Sequence, residues 1–194
     1  MAEIIKLIIS NVLTAFYQPF WFALLLAALF MLAYKAYPSA KDAARRWVEW
    51  FKTDSSFRKI FLLAFYTALI LFRTLLNRNI WANPLSDVMG KWWLYTPDGK
   101  LTTEMIENFL LFMPFTAILF WCFRDKLLGS RVTFFKTLWC AVKTVFLFSF
   151  TIEMLQLVLR LGTWQLSDLF YNILGGAVGG IIYFITYKIK HIKE

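Results

Sequence analysis

Residues 7–34 contain no charged side chain, and neither do residues 169–187. A hydrocarbon layer about 30 Å thick is crossed by roughly 20 residues of helix, so each run is long enough, or nearly so, to span a membrane. Backbone polar groups in lipid must be satisfied within the segment, which makes such runs helical. The whole chain points the same way. Of its 194 residues 60% are hydrophobic and 17% charged, against about 45–50% and 25% in a soluble domain. Its 21 Phe and 9 Trp are far too much apolar surface for a disordered chain.

Five spans are expected, centred on residues 19–34, 60–77, 108–123, 137–160 and 169–187. The first is preceded by an amphipathic start (Ile4, Ile5, Leu7, Ile8) suited to the interface. The fourth is interrupted by Lys143 and Glu153 but is otherwise strongly apolar. The fold class is therefore all-α, a polytopic bundle. Residues 1–59 form a first span plus a basic amphipathic segment, 60–187 a four-helix core, and 188–194 a basic tail. Lys and Arg concentrate on one side. Lys35, Lys41, Arg45, Arg46, Lys52, Arg58 and Lys59 follow span one, Arg124, Lys126, Arg131 and Lys136 follow span three, and Lys188, Lys190 and Lys193 end the chain. Fourteen stand on that side and five on the other, namely Lys6, Arg78, Lys91, Lys100 and Arg160. The positive side faces the cytoplasm, so the C-terminus is expected inside and the N-terminus outside.

The net charge of +9 lies between apolar runs, which suits anionic lipid headgroups rather than nucleic acid. Two cysteines and one histidine, His191 in the charged tail, are too few for an ordinary zinc site, and no metal or cofactor is expected. Cys122 and Cys140 fall at cytoplasmic span ends, where a structural disulfide is not expected. No secretory cleavage signal opens the chain, so the first apolar run reads as a retained span. Residues 40–51 read as a surface helix, with Trp47, Trp50 and Phe51 toward lipid. The loop of residues 78–107, with Trp81, Trp92, Trp93, Tyr95 and turns at Asn83-Pro84 and Pro97-Asp98-Gly99, reads as lying on the outer headgroup surface.

The informative residues are polar ones inside the spans. Glu153 stands seven residues before the end of its span, roughly 10 Å deep, where a carboxylate costs a few kcal/mol unless paired or protonated. Ser149, Gln156 and Arg160 share its helix face. Asp168 and Asn172 open span five, Glu107 and Asn108 open span three, and Arg73 ends span two. Topology puts all these ends on the outer side, so Arg73, Glu107, Asn108, Glu153, Gln156, Arg160, Asp168 and Asn172 are expected at one level, near charge balance. Arg73 is the expected counter-charge of Glu153. Taken singly, the amides also serve as interhelical glue, and Glu107 and Asp168 as carboxylates favoured by a helix N-terminus. Gly175, Gly176, Gly179 and Gly180 allow close helix approach, and Pro114 is expected to kink span three.

The stretches Glu107-Asn108-Phe109-Leu110-Leu111-Phe112-Met113-Pro114-Phe115, Ser149-x-x-x-Glu153-x-x-Gln156 and Asp168-Leu169-Phe170-Tyr171-Asn172-Ile173-Leu174-Gly175-Gly176 resemble the VanZ-like family. Arg73 resembles that family's arginine, and Thr116 departs from its frequent glycine. The resemblance covers about residues 60–187. It implies an integral membrane protein linked to low-level resistance to teicoplanin, a lipoglycopeptide acting on cell-wall precursors outside the membrane. The bacterial cytoplasmic membrane is the implied location.

Two functions fit the residues. A binding module would hold a membrane lipid, a lipid-linked cell-wall precursor or the antibiotic, with arginine forks on phosphate or carboxylate and Glu153, Asp168 and the amides as a hydrogen-bonding wall. An intramembrane enzyme would use Glu153 and Asp168 as acid and base, but it lacks an outer cysteine, and no histidine can assist Ser149 or Ser167. A transporter is a third reading, disfavoured by five spans without a repeat.

Overall fold

The structure, a computed structural model, describes residues 2–34, 40–96 and 98–192. Lys35, Pro97 and Lys193, which enter the readings above, lie outside the described residues, as do the side chains of Lys41 and Arg45. The described residues form α1 (Ala2–Tyr17), α2 (Phe20–Tyr34), α3 (Ala40–Thr53), α4 (Ser55–Leu71), α5 (Glu104–Leu127), α6 (Phe134–Leu159) and α7 (Leu166–Ile192). Five helical stretches are long and apolar enough to cross a membrane: Ile4–Tyr34, Ser55–Leu76, Glu104–Leu127, Phe134–Leu159 and Leu166–His191. They are the five expected spans, each extended beyond its apolar centre. The protein is a helical membrane protein.

α7 organises the bundle because four glycines let it approach two neighbours at once. A Cβ at Gly175 or Gly179 would collide with the carbonyl oxygens of Phe109 and Met113 on α5. The two backbones therefore touch, at a separation that suits Cα–H···O contacts. On the adjoining face Gly176 meets Val145 and Gly180 meets Ala141, both on α6. Thr116, the departure from the family glycine, is fully buried beside the bare Cα of Gly176. The small residue it replaces is thus compensated across the contact.

α4 packs on α5 through Tyr66, Leu69, Ile70, Phe112 and Phe115. The Tyr66 hydroxyl donates to the Leu111 carbonyl at 3.0 Å, next to the Leu110 carbonyl that Pro114 leaves without its helical donor. Helical dihedrals continue through Pro114, and the break within α5 falls at Phe123 (φ −124°, ψ 30°).

α1 turns into α2 at Gln18 and Pro19. Its Asn11 donates to Thr103 at 2.8 Å, and Gln18 accepts from Asn77 at 3.3 Å, so its polar residues lie at the end of the bundle where α4 stops and α5 starts. At the other end the aromatic side chains of α3 pack on one another and on α4, while Phe51 also remains exposed. Trp47 stacks on Phe51 and meets Phe57 and Phe61 of α4 edge-on at 5.6 and 5.5 Å, and Trp50 tilts on Phe57. Five aromatic side chains against one another remove more apolar area from water than a lone Trp at an interface does. Asp54 caps α4 by accepting from the Ser56 and Phe57 amides.

Candidate functional site

The end of the bundle formed by the last turns of α4 and α6 and the first turns of α5 and α7 gathers most of the expected polar residues. It begins with an irregularity. The last turn of α4 widens into a π-helix, Phe72–Leu76, in which the Asn77 amide donates to the Phe72 carbonyl at 2.8 Å. Such single π turns occur often at functional sites. From this turn Arg73 reaches α5, with Nη2 2.6 Å from Glu107 Oε2. The Thr74 carbonyl, one of those a helix end leaves unpaired, accepts from Gln156 Nε2 at 2.6 Å.

Arg73 is therefore the partner of Glu107, which corrects the expected Arg73–Glu153 pair. Glu107 is the nearer because it opens α5 beside the widened turn, and its carboxylate gains from the helix N-terminus. Its second oxygen accepts from the Thr103 hydroxyl at 2.6 Å, and that hydroxyl accepts from Asn11. The chain Asn11–Thr103–Glu107–Arg73 ties α1, α5 and α4 together.

Glu153 lies deeper, only 2% exposed. Its Oε2 accepts from the Gln165 amide at 3.1 Å. Electrostatically it faces Asp168, and the cation acting on both carboxyls is Arg78, which stands just beyond the π turn and is exposed. The Asn108 side chain stands next to Asp168 and acts on its carboxyl. Asn172 donates to Ser149 Oγ at 2.8 Å, joining α7 to α6 inside the bundle.

Arg160 does not join. α6 closes on a Schellman motif, in which the Leu161 amide donates to the Gln156 carbonyl at 2.8 Å and that of Arg160 to Leu157 at 3.3 Å. Arg160 takes the left-handed position of that motif (φ 55°), where glycine is favoured, at a cost of roughly 1 kcal/mol or more. The turn swings its side chain off the helix face and leaves it exposed.

The loop between α4 and α5 is not laid out flat on the headgroups as a whole. It docks on the α6–α7 connection by backbone bonds. The amides of Trp81, Gly162, Trp164 and Leu166 pair with the carbonyls of Arg160, Asn79, Pro84 and Val88 at 2.8–3.1 Å. Trp92 turns inward onto Phe170 and Tyr171, whose hydroxyl donates to the Trp92 carbonyl at 2.8 Å. Gly90 (φ +70°) passes so close to Ser167 that any side chain there would collide with its hydroxyl. Gln165 Nε2 donates to Asp87 Oδ2 at 3.1 Å, and Lys91 pairs with Glu104 at 2.6 Å. Trp93 and Tyr95 remain strongly exposed, as interface residues would be. Sequence reading did not single out Asn11, Thr103, Gln165 or Asp87 for the site, and it left Arg78 outside the cluster.

The cluster is packed rather than open. Ser149, Glu153, Gln156, Asp168 and Asn172 are all buried, and none of them lines the cavities found elsewhere in the protein. Yet its bonding capacity is not used up. Among the described residues Gln156 Oε1, Asn172 Oδ1, Ser167 Oγ and Trp164 Nε1 are buried without a hydrogen-bond partner, each at a cost of about 1–3 kcal/mol. With two carboxyls and one arginine, the group can accept several N–H or O–H donors and bind one anionic oxygen pair. Also among the described residues, no three His, Cys, Asp or Glu side chains stand together as a metal site would require.

Comparison with known families gives a match to a family model described as VanZ/LLP1, over residues 16–187. The match starts within α1, so α2 and α3 belong to the matched region along with the four-helix core. No curated protein and no solved structure matches the chain.

Proposed function

We propose that this chain, which belongs to the VanZ/LLP1 family, recognises the polar head of a lipid-linked or glycopeptide ligand at the outer leaflet of a bacterial cytoplasmic membrane. Through that binding it confers low-level resistance to teicoplanin. The observation that carries this reading is the unspent bonding capacity at one end of the bundle. Gln156 Oε1, Asn172 Oδ1 and Ser167 Oγ lie buried without partners close to two carboxyls that Arg78 does not fully balance.

Natural proteins leave few buried polar atoms unpaired, and each one asks for an explanation. A headgroup rich in hydroxyls and amides supplies donors to the amide oxygens and carboxylates. Its phosphate or carboxylate suits the planar fork of Arg78. Arg78 flanks Gly162, with the arginine Cδ 3.7 Å from where a Cβ would stand, and so marks the rim. The loop that covers the cluster is held largely by backbone bonds and the Gln165–Asp87 contact, and its displacement opens the route inward. The excess of Lys and Arg at the other end orients this end toward the outside.

The test is susceptibility of a teicoplanin-sensitive bacterium expressing the protein at matched membrane levels. Wild type is expected to raise the inhibitory concentration, and Glu153→Gln and Gln156→Leu to remove that protection while the protein still reaches the membrane. Undiminished protection in both variants rejects the site.

A second reading, an intramembrane enzyme acting on a lipid-linked precursor, has one observation in its favour. Glu153 and Asp168 are both buried, and the charge of Asp168 acts on the Glu153 carboxyl, an arrangement that favours a proton on Glu153. Turnover of a purified lipid-linked precursor, lost in Glu153→Gln, selects this reading over simple binding.

A further inference from the structure

At the end of the bundle opposite the polar cluster, α4, α5 and α7 enclose a cavity of about 510 Å³. Lys59, Arg124 and Lys190 line it, and Asp125 is the acidic residue among its walls. Arg124 is already engaged with Asp125, its Nε and Nη2 donating to Oδ1 at 2.8 and 2.5 Å. Lys59 and Lys190 are not so neutralised. Lys59 Nζ stands 5.2 Å from the centre of the Trp121 ring. Among the described residues neither lysine has a carboxylate within ion-pair distance. Two ammonium groups therefore share one concave surface with no anion of the chain assigned to them.

Ile60, one residue along α4, is a wall of this cavity and also of a second one of about 300 Å³. The second is a groove between α2 and α4, lined by Leu26, Phe30, Leu63, Leu71 and Phe123 among others. From Ile60 to Leu71 it follows α4 for roughly 16 Å. The basic cavity alone suits any small anion, and the groove alone suits any acyl chain. Sharing a wall, they ask for both on one molecule.

We propose that the two cavities form a single site for an anionic phospholipid, its phosphate between Lys59 and Lys190 and one acyl chain in the α2–α4 groove. Basic pockets between membrane helices hold such headgroups. A zwitterionic lipid is disfavoured because its own ammonium group would meet the two lysines. The site lies at the far end of the bundle from the polar cluster and is independent of it.

Native mass spectrometry of the purified full chain, with phosphatidylglycerol and phosphatidylcholine offered at equal concentration, tests the proposal. Phosphatidylglycerol is expected to be held the tighter of the two. The Lys59→Gln/Lys190→Gln double variant is expected to weaken its retention about 30-fold, at roughly 1 kcal/mol per lysine near the surface. Equal retention of the two lipids by wild type, or unchanged retention of phosphatidylglycerol in the double variant, overturns the proposal. Displacement of the lipid by an equal concentration of inorganic phosphate also overturns it, identifying a site for a free anion instead. Leu63→Trp, which fills the groove and leaves every charge in place, is expected to lower phosphatidylglycerol retention. If that variant retains the lipid as well as wild type, no acyl chain lies in the groove and the proposal fails even where the double variant does not fold.

Discussion

Replacing Gly179 by leucine is expected to destroy the fold of the bundle, lowering the protein's thermal stability in detergent so far that little of it is recovered folded. The reason is local. A Cβ at this position falls on the Met113 carbonyl oxygen, which is backbone inside α5 and cannot rotate away as a side chain would. α7 must then move off α5 along the whole contact. The Gly175–Phe109 approach one turn away is lost with it, and Asp168 and Asn172 are drawn from Asn108 and Ser149. Overpacking a well-filled interior costs about 1–3 kcal/mol even where side chains can adjust, so roughly 3 kcal/mol or more is expected here. Leu174→Ala lies on the exposed side of the same helix; it is expected to change stability by no more than about 0.5 kcal/mol. Comparable melting temperatures for Gly179→Leu and Leu174→Ala would show that α5 and α7 do not touch through their backbones.

Exchanging the charges of Arg73 and Glu107 is the second large expected effect, and it separates structure from function. Arg73→Glu alone sets two carboxylates face to face where Glu107 is only 9% exposed. Arg73 itself is 36% exposed, so the pair is half-buried; breaking it costs about 1.5–3 kcal/mol, and the single variant is expected to unfold at lower temperature. The double variant Arg73→Glu/Glu107→Arg restores opposite charges. It is expected to regain most but not all of the loss. A cation in the first turn of α5 and an anion in the last turn of α4 both oppose their helix dipoles, by about 0.3–1 kcal/mol each. Ligand binding is expected to follow stability in this series, because the pair braces the site without touching the headgroup. A double variant no more stable than Arg73→Glu would show that the two residues are not partners.

The five spans were legible because lipid imposes a length and a polarity that the sequence displays directly. Convergence of the polar residues was legible too, since antiparallel helices bring alternate ends together whatever their packing angles. Pairing within the cluster was not. The π turn at Phe72–Leu76 inserts a residue into the helical register without changing the apolar pattern, so it redirects Arg73 to Glu107 and leaves Arg78 as the cation near Glu153 and Asp168. The position of Arg160 was hidden for a similar reason, because a helix that closes on a left-handed residue normally announces it with glycine.

Docking of the loop rests on backbone amides and carbonyls, which carry no side-chain signature; Gly90 and the Trp92 contact were its readable traces. Thr103, four residues before Glu107, could have been found from its spacing. Asn11 could not, since nothing in its surroundings marks a partner 92 residues away.

Ligand binding by the protein in lipid nanodiscs tests the central claim most directly, with Arg78→Gln compared against wild type. Arg78 is exposed and stands outside the Arg73–Glu107 brace, so the bundle is expected to stay folded without it, which the melting temperature of each protein checks. The expected result is that wild type binds teicoplanin or a lipid-linked cell-wall precursor, and that Arg78→Gln weakens the binding roughly 10- to 100-fold, the loss of one charge-assisted contact of about 1.5–3 kcal/mol. Equal affinity of the two proteins for the ligand, at equal stability, would contradict a headgroup site at this end of the bundle.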